Sequence, residues 1–232
     1  MAPPLLVLFD VDGTLFLTDD PLFGRSAIET LEEIYDLALP EDAIQHVDHA
    51  GQTSKRIARL VLSGAGLDDR SIDAHIDAWC ACSAERYIEL LASSTAGWRA
   101  RPGSAKALTV LADRGMRLAL LTGNPEPVAR ARMERLGLAR FFPEAQGAFG
   151  CEGERRAELL ALARRRAGGS EAWPANRTIE VGDTCRDVES AHAAGIRSVA
   201  IASGRVERER LEPADAVIGA MPELTEVLLG WD

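Results

Sequence analysis

Leu5-Leu6-Val7-Leu8-Phe9-Asp10-Val11-Asp12-Gly13-Thr14 sets five apolar residues directly before two carboxylates that lie two positions apart. The apolar run is short and bounded, as expected of a parallel strand buried on both faces, and Gly13 lets the chain turn at once. Side chains alternate along an extended chain, so Asp10 and Asp12 share a side as long as the strand stays extended. Two neighbouring carboxylates repel unless a cation joins them or one keeps its proton. The pattern suggests a divalent metal, with one carboxylate as ligand and nucleophile and the other as proton carrier. Taken alone, the same residues also describe a strand that ends in an Asp-Gly turn.

Two later segments repeat the design. Leu118-Ala119-Leu120-Leu121-Thr122-Gly123-Asn124 is an apolar strand ending in a hydroxyl, a glycine and an amide, and Thr178-Ile179-Glu180-Val181-Gly182-Asp183 ends in a glycine and a carboxylate, with Asp187 one helical turn beyond. Between them, Gly150 to Ala167 is an Arg-rich helical stretch that can bring a cation to the same place. Ligands of open α/β sheets bind at the carboxyl ends of the strands, so these three ends are expected to meet. After Arg101-Pro102-Gly103, helices and strands alternate: Ser104 to Arg114, Leu118 to Leu121, Pro125 to Leu136, Glu154 to Ala167, Ile179 to Val181, Val188 to Ala194 and Ser198 to Ala202, with a last strand at Asp215 to Ile218. From residue 21 to 98 the short strands vanish. Helical spacing replaces them, in Ile28, Leu31, Ile34 and Tyr35, then Ile57, Leu60 and Val61, then Ile72, Ile76, Trp79, Ser83, Tyr87 and Leu90. Gly64-Ala65-Gly66 has no strand before it and no third glycine, so it reads as an interhelix turn.

In this order, Asp10-Val11-Asp12-Gly13-Thr14-Leu15, Thr122-Gly123-Asn124, a basic residue near 156, and Gly182-Asp183-Thr184-Cys185-Arg186-Asp187 resemble the four motifs of the haloacid dehalogenase superfamily. The resemblance implies an α/β fold, a Rossmann-like parallel-sheet core formed by residues 1–20 and 99–232, with an inserted α-helical cap domain at 21–98. It assigns Asp10 as nucleophile and Asp12 as the acid that protonates the leaving oxygen and then activates water. Asp10, Asp183 and the backbone carbonyl of Asp12 would hold Mg²⁺, with Asp187 as an additional or outer carboxylate. Thr122, Gly123 and Asn124 would donate to the transferring phosphoryl group, and Arg156 would supply the fixed positive charge. The commonest family pattern has Lys at this last position. Here Arg155 and Arg156 are adjacent, Lys55 and Lys106 are the only lysines, and Arg156-Ala157-Glu158-Leu159 resembles the arginine variant.

An acid two places after the nucleophile marks the branches that act on phosphate esters, which argues against carbon–halogen or carbon–phosphorus cleavage. The reading is a phosphomonoester hydrolase resembling the phosphoglycolate phosphatase-like branch. A sugar-phosphate mutase of the same fold and a noncatalytic binding module are the alternatives. Gly51-Gln52-Thr53-Ser54-Lys55-Arg56 resembles a substrate loop, making Thr53 and Lys55 candidate contacts, although Thr53 or Ser54 equally suits a helix N-cap. His46, His49, His75 and His192 fall in no motif.

A net charge of −10 and pI near 5.0 give no overall field that attracts nucleic acid or an anionic membrane. No apolar run approaches the roughly 20 residues of a membrane span, and the start lacks the pattern of a signal peptide. The expected setting is cytoplasmic, as a monomer or homodimer, with a small phosphorylated metabolite as partner. Cys80 and Cys82 face different ways on a helix, Cys151 and Cys185 stand alone, and the spacing matches no metal-ligand pattern.

Overall fold

The computed structural model describes residues 3–17, 20–94, 97–202 and 206–231. Five parallel strands, β1 (Leu6–Phe9), β2 (Arg117–Leu120), β3 (Thr178–Gly182), β4 (Arg197–Ile201) and β5 (Ala216–Ile218), form one sheet in the order β2-β1-β3-β4-β5. This is an α/β fold of the doubly wound kind, and its order changes direction between β1 and β3, where such sheets place their ligands. The alternation of β1 sorts its side chains between two layers. Leu5, Val7 and Phe9 join the core under α4 (Ser104–Asp113), α5 (Glu126–Arg135) and α8 (Met221–Trp231), while Leu6 and Leu8 join the one under α6 (Arg156–Gly168) and α7 (Cys185–Ala193). Each such fully buried side chain stabilises the sheet by roughly 2 kcal/mol.

Two helix starts differ from the sequence expectation by more than one residue, each for a capping reason. The helix expected from Val188 begins at Cys185, because Thr184 and Asp187 cap it reciprocally: the Asp187 carboxylate accepts from the Thr184 N–H at 2.8 Å. The helix expected from Glu154 begins at Arg156, where the Glu158 carboxylate accepts from the N–H of Arg155, the N-cap, at 3.3 Å.

Between β1 and α4 run three further helices, α1 (Pro21–Tyr35), α2 (Ser54–Gly64) and α3 (Asp69–Ala92). Asp20, Thr53 and Asp68 cap them through side-chain oxygens, and the chain turns at Gly64-Ala65-Gly66 as expected, with Gly66 at φ +93°. They share a core of their own around Ile28, Leu31, Leu62, Ile72, Ile76 and Trp79, tied by the Trp79 indole donating to the Ala27 carbonyl. A disulfide joins Cys80 on α3 to Cys151 before α6, with the Cα atoms 5.9 Å apart. This corrects the reading of Cys151 as a solitary thiol. The partners lie 71 residues apart in sequence, and only the docking of α3 beside that loop brings them together. Cys82 is exposed and Cys185 partly buried, both as free thiols.

Candidate active site

Three strand ends converge on a cavity of about 560 Å³ between the sheet and the helical insert. Asp10 follows β1, its N–H bonded to the Val181 carbonyl of β3 at 2.9 Å, and is buried. Asp183 follows β3 and is fully buried. Gly13, at φ +81°, passes so close to the Asp183 carboxylate that a Cβ there would collide with it, which explains the turn residue in physical terms. Thr122 follows β2, its N–H bonded to the Ala148 carbonyl at 3.2 Å. Its hydroxyl accepts from the Asn124 side-chain amide at 3.0 Å, and both residues are buried. At Gly123 a Cβ would strike the Gln52 carbonyl, so the site loop lies directly against the insert.

The neighbouring arginines part company. Arg155 is exposed and pairs with Glu158, whereas the buried Arg156 guanidinium pairs with Glu180 at 2.9 Å, Asp10 at 3.7 Å and Asp187. It also donates to the Leu121 carbonyl. Glu180, which the sequence reading passed over, sits mid-strand and also accepts from the Ser190 hydroxyl at 2.9 Å. A lone acid inside Ile179-Glu180-Val181 was the available signal, because a buried charge needs a partner. Burial pushes its carboxyl up to about 7, against the pull of Arg156 and with a further push from Asp187.

Oxygens of Asp10, Asp183 and Asp187 lie within 4.8 Å of one another, all buried. Burial drives the Asp10 carboxyl well above the usual range, Arg156 opposes this, and Asp187, Asp183 and Asp12 add to the rise. Asp10, Asp187 and Glu180 thus share the one guanidinium of Arg156, and the Asp183 carboxylate lies beside the first two. An all-oxygen donor set with excess negative charge fits a hard divalent cation.

Asp12 is held by a different set of partners. Its side chain is 38% exposed, and its carboxylate accepts from Arg132 Nη1 at 2.9 Å to both oxygens and from Asn124 Nδ2 at 2.5 Å. Arg132 and its second partner Asp20 were also not anticipated. Arg132 shares the buried face of α5 with Val128, Ala129 and Met133, so a charge at a core position was the clue. From the insert, Gln52 and Ser54 line the cavity with His49 and apolar side chains that include Phe23, Ile57 and Trp79. Thr53 and Lys55 do not line it. Thr53 caps α2 and donates to the Glu154 carbonyl, and Lys55 pairs with Asp77.

The profile of the haloacid dehalogenase-like hydrolases matches residues 5–195. The chain belongs to this family. It is 31% identical to the phosphoglycolate phosphatase of Rhodospirillum rubrum over 87% of this chain and 80% of that one. It is 28% identical to the phosphoglycolate phosphatase of Neisseria meningitidis over 96% and 92%. Among solved structures, CbbY from Rhodobacter sphaeroides in complex with phosphate superposes with a TM-score of 0.68 at 23% identity, covering 95% of this chain and 96% of that one. These relatives match across both the sheet and the helical insert. Among the described residues, no helix is long and apolar enough to cross a membrane.

Proposed function

We propose that this member of the family is a Mg²⁺-dependent phosphomonoester hydrolase that works through an aspartyl-phosphate on Asp10, with α1 to α3 acting as a cap over residues 21–98. The observation that carries the reading is the meeting of Asp10, Asp12, Thr122, Asn124, Arg156 and Asp183 around one cavity. Asp10 and Asp183, with the Asp12 carbonyl and Asp187 nearby, would hold the ion, which when bound neutralises the carboxylates and the incoming phosphate. An oxygen of Asp10 attacks phosphorus as the ester P–O bond breaks, and Asp12 gives the departing alkoxide its proton. Asp12, now a carboxylate, takes a proton from water whose oxygen attacks the phosphoryl group, releasing inorganic phosphate and the Asp10 carboxylate. Thr122, the Gly123 and Asn124 amides and Arg156 face the equatorial oxygens, where charge spreads in the transition state.

The volume suits a small metabolite, and the phosphoglycolate phosphatases among the relatives make phosphoglycolate the first ester to try. A variant of CbbY has been solved with xylulose-(1,5)bisphosphate, which supports the same size class. The test is phosphate release from a panel of small phosphate esters with and without Mg²⁺. Turnover that vanishes in chelator and returns with Mg²⁺ is expected. Full turnover in excess chelator, or fast interconversion of hexose phosphates with negligible phosphate release, would refute it.

A further inference from the structure

Arg132 is a heavily engaged buried side chain that the proposed mechanism does not use. It rises from the buried face of α5 and is 3% exposed. Nη1 reaches both oxygens of Asp12 at 2.9 Å and Asn124 Oδ1 at 3.1 Å. Nη2 pairs with Asp20 at 3.1 Å, and Nε lies 3.4 Å from the Tyr87 hydroxyl, which itself donates to Asp20 at 2.6 Å. The rings of Phe16, Phe23 and Tyr87 surround the guanidinium with centroids 5.0–5.7 Å away. One cation thus joins the Asp12 strand end, the N-cap of α1 and the C-terminal part of α3.

From this geometry we infer that Arg132 is a positioning residue: it fixes the Asp12 carboxylate in the orientation that serves the leaving group, and it does so only while the insert is docked. The inference rests on Asp12 being the acid and base of the proposed reaction.

Three observations separate this from other uses of a buried arginine. Arg132 is not an anion receptor for the substrate, because two carboxylates, Asp12 and Asp20, already face its single charge. It is costly as a mere filler, since an apolar side chain would suit a position flanked by Val128, Ala129 and Met133 without the expense of burying a charge. It also settles the orientation of Asn124. Because Nη1 donates to Asn124 Oδ1, the Asn124 NH₂ group must point to Asp12 and Thr122, where it donates at 2.5 and 3.0 Å. Removing Arg132 frees both the carboxylate and the amide that brackets it. Asp20, bonded to α1 as its N-cap, and Tyr87 on α3 hold the guanidinium from the side of the insert helices, so an insert that swings away disturbs two of its anchors.

The experiment compares Arg132→Met and Arg132→Lys with the intact protein on two esters. One is p-nitrophenyl phosphate, whose leaving group departs without a proton. The other is whichever of phosphoglycolate, glycerol phosphate and ethyl phosphate the intact protein turns over fastest. The quantity read is kcat/KM, which covers steps only up to phosphorylation of Asp10. In Arg132→Met it should fall roughly tenfold to a hundredfold for the alkyl ester and less than about threefold for the aryl ester. Arg132→Lys, which keeps a cation beside Asp12, should recover part of the alkyl loss. Equal losses on both esters overturn the inference, because a merely structural role does not sense the leaving group. If Arg132→Met does not fold, Arg132→Lys and Asp20→Asn carry the same comparison, again with alkyl-selective loss expected and equal loss fatal. An intact protein inactive on every ester refutes the phosphatase reading itself.

Discussion

The carboxyl ends of β1, β2 and β3 and the helical insert that covers them contribute to one cavity in opposite ways. At the strand ends, each chemical group follows an apolar run and stands beside a glycine that lets backbone and carboxylate approach, as Gly13 does for Asp183. In the insert, two of the residues that look chemical stand outside the cavity. Thr53 caps α2 and Lys55 pairs with Asp77, while Gln52, Ser54 and His49 share the cavity wall with the apolar faces of helices whose spacing signals only a core. The candidate catalytic groups of this fold are therefore local in sequence, and the residues that line the rest of the cavity are not.

The adjacent arginines put the first half of that contrast at greatest risk. Arg156→Ala should lower turnover by roughly a hundredfold or more, because a fixed charge beside the transferring group is lost. Arg155→Ala should stay within about threefold, its side chain being exposed. Steady-state kinetics of the two variants decide it, and a dead Arg155 variant would mean that the strand-end site is assembled differently.

The disulfide tests how independent the two regions are. Closing a loop of 71 residues stabilises the fold by about 4 kcal/mol in the chain-entropy account. Cys80→Ser should therefore lower the midpoint of denaturant unfolding markedly and make it insensitive to reductant, with catalysis changed far less. An unchanged midpoint under oxidising conditions would mean that the bond does not form in solution.

Glu180 provides the smaller effect, on pH dependence. Its folded value of about 7 lies above the ordinary 4.5, so between those limits the folded state binds more protons than the unfolded one. Stability from this group is present at low pH and lost as pH rises through 7. Thermal unfolding of the metal-free protein should fall by several degrees between pH 5 and 8, and Glu180→Gln, which keeps partners for Arg156 and Ser190, should flatten that slope. A slope unaltered by the substitution would show that Glu180 titrates normally.

The same contrast explains what could be read from the chain. The parallel sheet and the placing of Asp10, Thr122 and Asp183 at its strand ends were legible because strand, turn and polar group are consecutive. Arg156 was preferred to Arg155 only through the resemblance, and the packing of α6 is what buries the one and exposes the other. Arg132, Asp20 and the Cys80–Cys151 bond were not legible. Each acquires its meaning from a partner on another element, as when Arg132 on α5 reaches Asp12 after β1 and Asp20 before α1. Glu180 lies between these cases. Its strand was evident, and its partner arrives only when α6 packs on the sheet.

The central claim is that phosphorus passes through Asp10, and Asp12→Ala offers the most direct view of it. An aryl phosphate can still phosphorylate Asp10 in that variant, while the water step, deprived of its base, slows by roughly a hundredfold to ten-thousandfold. Asp12→Ala mixed with p-nitrophenyl phosphate and Mg²⁺, quenched in acid and mapped by peptide mass, should carry one phosphoryl group on the peptide containing Asp10. Turnover of the aryl ester with no phosphoryl group on that peptide, or with the label on another residue, would contradict the account.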